Sequence, residues 1–253
     1  MVGAMNRRAA ILREMGLAPV WRLRASPVAE KTDIEAPASA PQSQQQPETV
    51  RVKPVVDAPV PSRTESAVVA AGLDWDALES AIRECRACRL HERRNKAVPG
   101  VGDRQADWLF VGEGPGAEED QRGEPFVGQA GKLLDAMLAS IGLARGRNVY
   151  IANAVKCRPP GNRTPEADEI ATCQPYLERQ IALIQPRIIV ALGRPAAQTL
   201  LGSEVKINAV RGRLLDHCGI PVVVTYHPAY LLRNPHDKAK AWEDLCFARA
   251  SLG

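Results

Sequence analysis

The chain has no apolar run long enough to cross a bilayer and no signal-peptide core, which excludes a membrane-spanning helical protein and makes the cytoplasm the expected location. It also lacks a strong charge balance. Against 29 Asp+Glu stand 33 Lys+Arg, a net charge of +4, so bulk charge does not by itself establish a nucleic-acid partner. Aromatic residues are scarce at 4%, and none occurs between Trp21 and Trp75. Within that gap, residues 26–72 carry seven prolines among Ala, Ser, Gln and Val. Such a composition cannot bury enough apolar surface to offset chain entropy, and a disordered tether is expected there. The tether separates a short patterned island at residues 1–25, a docking peptide by its position, from a folded domain at 73–253. With 45% hydrophobic residues in 253, that domain has the means for a real core.

What the chain does have is a glycine-rich stretch. Trp108–Val111 runs as an apolar strand into Gly112-Glu113-Gly114-Pro115-Gly116, a loop too rich in glycine for helix or strand. Three acids follow, Glu118, Glu119 and Asp120, then Phe126 in a Pro-Phe-Val-Gly turn. A helical pattern starts only afterwards, with Leu133, Leu134, Met137, Leu138 and Ile141 on one face. Three adjacent carboxylates and one aromatic on a strand-loop-helix unit mark a site, with a dinucleotide-binding loop or a plain turn as the competing reading.

Further apolar runs at 148–153, 187–193 and 221–226 have the character of buried parallel strands. Helical patterns at 129–141, 165–184, 194–201 and 237–250 alternate with them. Asp74 caps a helix bearing Trp75, Leu78 and Ile82, and Thr164-Pro165 is a start signal for the long helix. The expected fold is a three-layer α/β/α sandwich around a central, mainly parallel four-stranded sheet. In such sheets ligands bind beyond the carboxyl ends of the strands. Those ends carry the glycine loop, Asn153, Gly193 and His227-Pro228, which predicts that acids, an amide and an imidazole share one crevice.

Six cysteines in a cytosolic chain favour metal ligation or burial over disulfides. Cys85 and Cys88 are spaced C-x2-C, and Cys157 and Cys173 enclose fifteen residues. Four thiolates suit tetrahedral zinc or a [4Fe–4S] cluster, and spacing does not choose between them. Cys218 and Cys246 read as small buried hydrophobes. Basic residues crowd both ligand segments (Arg86, Arg89, Arg93, Arg94 and Lys96; Lys156, Arg158 and Arg163), placed to contact phosphates or to form a solvated face.

The motifs G-E-G-P-G-x-x-E-D (112–120), P-F-V-G (125–128), N-A-V-K-C-R-P-P-G-N-R (153–163) and H-P-A-Y-L-L-R (227–233), with the cysteine spacing, resemble the iron–sulfur uracil-DNA glycosylases often called family 4. The resemblance covers roughly Cys85 to Arg233, in the family's order. It implies excision of uracil from nucleoid DNA to leave an abasic site for base excision repair, and a [4Fe–4S] cluster on Cys85, Cys88, Cys157 and Cys173; a monomer is the default expectation for this architecture. It further implies that Phe126 stacks on the flipped base, that Asn153 and Asn162 bind substrate, and that His227 bonds uracil O2. Glu119, helped by Glu113, would serve the water or close the pocket. Uracil glycosylases of another family carry Asp where this chain has Gly114, so that base is missing and Gly114 is left to admit water or backbone. Arg86, Arg89, Arg158, Arg163 and Arg233 would meet DNA, and Leu231, with Leu232, would fill the space of the extruded nucleotide.

A second resemblance concerns the N-terminus. Arg7-Arg8, Leu12, Met15-Gly16-Leu17 and Trp21-Arg22-Leu23-Arg24 are similar to the N-terminal peptide of the psi subunit of bacterial DNA polymerase III, with one extra residue near Pro19. That likeness implies a clamp-loader complex as partner. Three competing classes are a nucleotide-binding Rossmann protein, a non-catalytic zinc or iron–sulfur DNA-binding module of the replication machinery, and a glycosylase of other base preference. Against the Rossmann protein stands the expectation that no helix directly follows the glycines.

Overall fold

A computed structural model of the chain describes residue 70 and residues 72–252. The docking peptide at 1–25 and nearly all of the tether at 26–72 lie outside the described residues. In chain order the elements are α1 (Trp75–Glu84), β1 (Val101–Gly102), β2 (Trp108–Gly112), α2 (Ala117–Arg122), α3 (Gln129–Ser140), β3 (Val149–Asn153), α4 (Ala167–Ile184), β4 (Ile188–Leu192), α5 (Arg194–Leu201), α6 (Ile207–Val210), β5 (Leu215–His217), β6 (Ile220–Thr225), α7 (Pro228–Arg233) and α8 (Lys238–Ala250).

The sheet order is β1-β3-β2-β4-β6-β5. The four inner strands are parallel, as expected, and almost wholly buried, because helices cover both faces. Alternate residues serve opposite faces. Leu109, Val111, Ile189, Ala191, Val222 and Val224 pack with Leu177 and Ile181 of α4 and Ala196, Ala197 and Leu200 of α5. Trp108, Phe110, Ile151, Val190 and Val223 pack with Leu134 and Leu138 of α3 and Leu245 and Ala248 of α8. This is the three-layer sandwich.

The sheet has six strands rather than four. β1 and β5 are antiparallel edges of two and three residues, too short to leave a period in the sequence. The β5–β6 hairpin turns on Cys218 (φ 52°) and Gly219 (φ 86°), the geometry that two-residue hairpins require. Cys218 is therefore exposed rather than buried, and Cys246 is only half-buried.

Asp74 caps α1 as expected, its Oδ1 accepting from the Ala77 amide at 2.9 Å. The long helix starts later than Thr164-Pro165 signals. Glu166 is its cap residue, and Glu169 Oε2 accepts from the Glu166 amide at 2.8 Å. Two helices break the sequence expectation. Ala117–Arg122 coils directly after Gly116, and Pro228–Arg233 coils after His227, where proline at the first helical position presets the turn.

Candidate functional site

A crevice of about 930 Å³ opens at the carboxyl ends of the inner strands and is lined by Glu113, Gly114, Glu119, Phe126, Asn153, Asn162, Arg163, Gly193, His227 and Arg233, among others. Gly112 ends β2 directly opposite Asn153 at the end of β3. Asn153 is 1% exposed, and its Oδ1 has no hydrogen-bond partner among the described residues. A buried amide oxygen left without a donor is costly unless a ligand supplies one.

The Phe126 ring stands 5.5 Å from the His227 ring, centroid to centroid, tilted by 31°. Phe126 is itself held in the left-handed region (φ 55°), a strained conformation for an aromatic residue that its surroundings enforce. Arg145 donates to the carbonyls of Pro125 (2.9 Å) and Phe126 (2.8 Å). Glu119 Oε1 accepts from the amides of Val127 (2.9 Å) and Gly128 (3.1 Å), while its Oε2 accepts from Gly116 (3.1 Å). Nothing in the sequence marks Arg145, a loop arginine about twenty residues beyond the turn that it holds. The helix that starts at Ala117 removes the objection that none follows the glycines. Against a dinucleotide stands another observation: Glu119's own carboxylate takes the Gly116 amide at the start of that helix, a donor that a phosphate would use.

His227 caps α7, its Nδ1 accepting from the Ala229 amide at 3.1 Å. The proton of the neutral ring therefore sits on Nε2, a donor. Burial, with help from the Arg233 charge, pushes its pKa down to about 4, so the ring is neutral at ordinary pH. Burial also raises the pKa of Glu113, partly opposed by Thr164 and Arg194.

The other expected residues divide. Arg86, Arg89 and Arg233 are exposed. Arg158 Nε donates to Asn162 Oδ1 at 2.7 Å, so Asn162 presents its amide nitrogen onward. Arg163 is committed to a two-pronged bond with the buried Glu169 at 2.8 and 2.7 Å, which makes it a brace of the crevice wall rather than a free phosphate contact. Leu231 is corrected by the structure. At 1% exposure it packs with Tyr226 and Ala241, because α7 turns it inward, and Leu232 at 43% is the leucine that faces out.

Behind the crevice, Cys85, Cys88, Cys157 and Cys173 line one small cavity with Arg94, Lys156 and Tyr176. Among the described residues no three His, Cys, Asp or Glu side chains meet as a single metal ion would require. Burial raises the Cys88 thiol, pushes Cys157 up to about 11 and Cys173 up to about 12. Arg94 donates to the Cys157 sulfur at 2.8 Å and the Lys156 amide to the Cys173 sulfur at 3.3 Å. Four thiols, Cys157 and Cys173 buried and Cys85 and Cys88 half-buried, with hydrogen-bond donors already aimed at the buried two, are the donor set of a cationic group that would draw off their protons. Lys156 is fully buried, and burial pushes its pKa down to about 8. Asp120, also buried, accepts from the Asn95 amide (2.9 Å) and side chain (2.6 Å), tying α2 to the segment after the first cysteine pair.

A family model described as the Uracil DNA glycosylase superfamily matches residues 99–246. The chain is 47% identical over 171 residues to a type-4 uracil-DNA glycosylase of Archaeoglobus fulgidus, covering 63% of this chain and 85% of the relative. It is 42% identical over 182 residues to one of Pyrobaculum aerophilum (68% and 92%) and 49% identical over 155 residues to one of Thermotoga maritima (60% and 80%). None of its helices among the described residues is long and apolar enough to cross a membrane.

Proposed function

The chain belongs to the uracil DNA glycosylase superfamily, and we propose that its crevice hydrolyses the N-glycosidic bond of uracil in DNA, leaving an abasic site for base excision repair. The observation that carries the reading is the unpartnered Oδ1 of Asn153 beside Phe126 and His227. Uracil has to leave the base stack before protein groups can surround it. The Phe126 ring offers it a stacking face. Asn153 Oδ1 then accepts from N3–H while its amide donates to O4, whereas cytosine presents the opposite pattern at both atoms. His227 Nε2–H donates to O2, where negative charge gathers as the bond breaks and the sugar becomes oxocarbenium-like.

Glu113 is the group that orients the attacking water in this reading. It is half-buried in the crevice wall, while Glu119 has both oxygens occupied by backbone amides. Glu119 acts by holding the Phe126 turn closed along the uracil edge that a 5-methyl group would have to pass. Gly114 lets the loop pack closely on the buried Val155, whose Cγ2 would stand 2.8 Å from a Cβ there.

The four thiols line one small cavity and are the donor set for a [4Fe–4S] cluster, the group that the resemblance to the iron–sulfur uracil-DNA glycosylases implies. Bound there, the cluster would supply a structural cross-link between the α1 end, the Cys157 loop and α4. The hydrolysis calls for no electron transfer.

The test is excision by anaerobically purified protein on a labelled oligonucleotide with a single uracil, against thymine and cytosine counterparts. Alkali-labile cleavage at uracil alone is expected, with four iron atoms per chain in the wild type and an iron-poor Cys157→Ala protein. No cleavage by iron-loaded protein would remove the enzymatic reading in favour of a non-catalytic DNA-binding module.

A second proposal concerns residues 1–25, supported by their similarity to the psi-subunit peptide. A synthetic peptide of these residues should bind the clamp-loader complex, and Trp21→Ala should weaken that binding. Equal binding by the variant in a titration, or none by either peptide, would dispose of it.

A further inference from the structure

Lys156 holds two parts of the molecule at once. Its main chain belongs to the thiol site: its amide donates to the Cys173 sulfur at 3.3 Å, its carbonyl accepts from the Val98 amide at 2.8 Å, and Cys157 follows it. Its side chain turns back three residues and donates from Nζ to the main-chain carbonyl of Asn153 at 2.8 Å. The second acceptor of Nζ is Gln180 Oε1 at 2.6 Å, on the same helix as Cys173. Gln180 is fixed in turn by donating to the Pro99 carbonyl at 2.8 Å. Lys156 and Asn153 are each 1% exposed, and Gln180 is fully buried.

Among the described residues no carboxylate pairs with this ammonium. Both of its acceptors are neutral, and one is the backbone oxygen of the residue whose side chain faces the crevice. The peptide after Asn153 is held at both of its polar ends: the Ala154 amide donates to the Gly112 carbonyl at the end of β2 at 2.9 Å, and the Asn153 carbonyl of the same peptide is the handle that Lys156 grips. The Asn153 side chain, by contrast, has its Oδ1 unpartnered, so nothing near the amide oxygen orients it from the crevice side.

We propose that Lys156 is a positioning residue, through which the four-thiol site sets the plane of the base-reading amide of Asn153. The proposal rests on the reading of Asn153 as the group that recognises uracil. Lys156 touches no substrate. Its effect is confined to where the amide points, so it governs discrimination between bases more than affinity for DNA as such.

The test uses full-length, anaerobically purified protein and an oligonucleotide carrying one 2′-fluoro-2′-deoxyuridine, whose glycosidic bond resists hydrolysis, against a matched 2′-fluoro-2′-deoxycytidine strand. The readouts are the ratio of the two dissociation constants and iron per chain. Lys156→Met keeps the stem and removes the donor; with iron content as in the wild type, the ratio should fall by about tenfold, the effect of one misdirected buried hydrogen bond. Asn153→Ala should abolish most of the same discrimination. If Asn153→Ala leaves the ratio intact, the base-reading assignment fails. If Asn153→Ala lowers it while iron-loaded Lys156→Met does not, the role given to Lys156 is overturned. Should Lys156→Met lose its iron, the decision passes to Gln180→Ala, which frees Nζ from its brace. A fall of about threefold at full iron upholds the tie, and an unchanged ratio overturns it.

Discussion

His227→Ala should lower kcat for uracil excision by about 10²–10³-fold while changing the affinity for uracil-containing DNA by far less, because a donor aimed at developing charge acts in the transition state and hardly in the ground state. The geometry specifies the form of that donor. Nδ1 is spent on the Ala229 amide at 3.1 Å, so the ring offers Nε2–H and does so uncharged. A neutral imidazole next to the exposed Arg233 is the consistent state, since both burial and that neighbouring charge disfavour the imidazolium.

The pH profile follows with its sign. The folded pKa of His227, about 4, lies below the ordinary value of 6.5. Between these two values the unfolded chain binds a proton that the native one refuses, so stability falls as pH drops through that window. His227 should nevertheless contribute no break to excision near 6.5, where an ordinary histidine would titrate. Its acid limb belongs to Glu113, whose carboxylate is needed ionised and whose pKa is raised by burial. Glu113→Gln should therefore lower kcat and erase the acid limb that Glu113 provides. A limb of kcat/KM with a midpoint near 6.5 that persists in Glu113→Gln would contradict the neutral-ring assignment.

Much of this was legible in the sequence because the inner strands are buried on both faces. Val149–Asn153 and Ile188–Leu192 read as unbroken apolar runs that only covered parallel strands tolerate, and their ends then located the crevice. The thiol quartet was legible through resemblance, and the structure brings the four together from three separate segments. Other features left no signal, each for a physical reason. α2 begins after two glycines and a proline, residues that normally end helices, and it forms because Glu119 caps the Gly116 amide. Leu231 and Leu232 are adjacent and chemically alike, so only the phase of α7 decides which one is buried. Arg145 and Lys156 act by gripping backbone carbonyls, and a bond to a carbonyl can be made by a side chain from anywhere in the chain.

The second large effect is expected at Gly112. A Cβ built there would run into Asn153 Oδ1 and approach the Phe126 ring to 2.6 and 2.7 Å at its Cζ and Cε2 atoms. Gly112 is the last residue of β2 and does not lie in the left-handed region, so alanine would suffer no backbone strain. The methyl group would intrude on Asn153 and Phe126, the two side chains proposed to receive the base. Neither can yield cheaply: Phe126 is clamped by Arg145 and Glu119, and Asn153 is gripped through its carbonyl by Lys156. Gly112→Ala should keep its fold and its iron, yet lose about 10²-fold in kcat/KM for uracil, the scale of an ångström's misplacement at a reacting centre. Circular dichroism and iron content check the first half, and excision kinetics the second. Wild-type kinetics in Gly112→Ala would mean that the floor between Asn153 and Phe126 is not where the base sits, and the crevice would have to receive it from the Gly193 side instead.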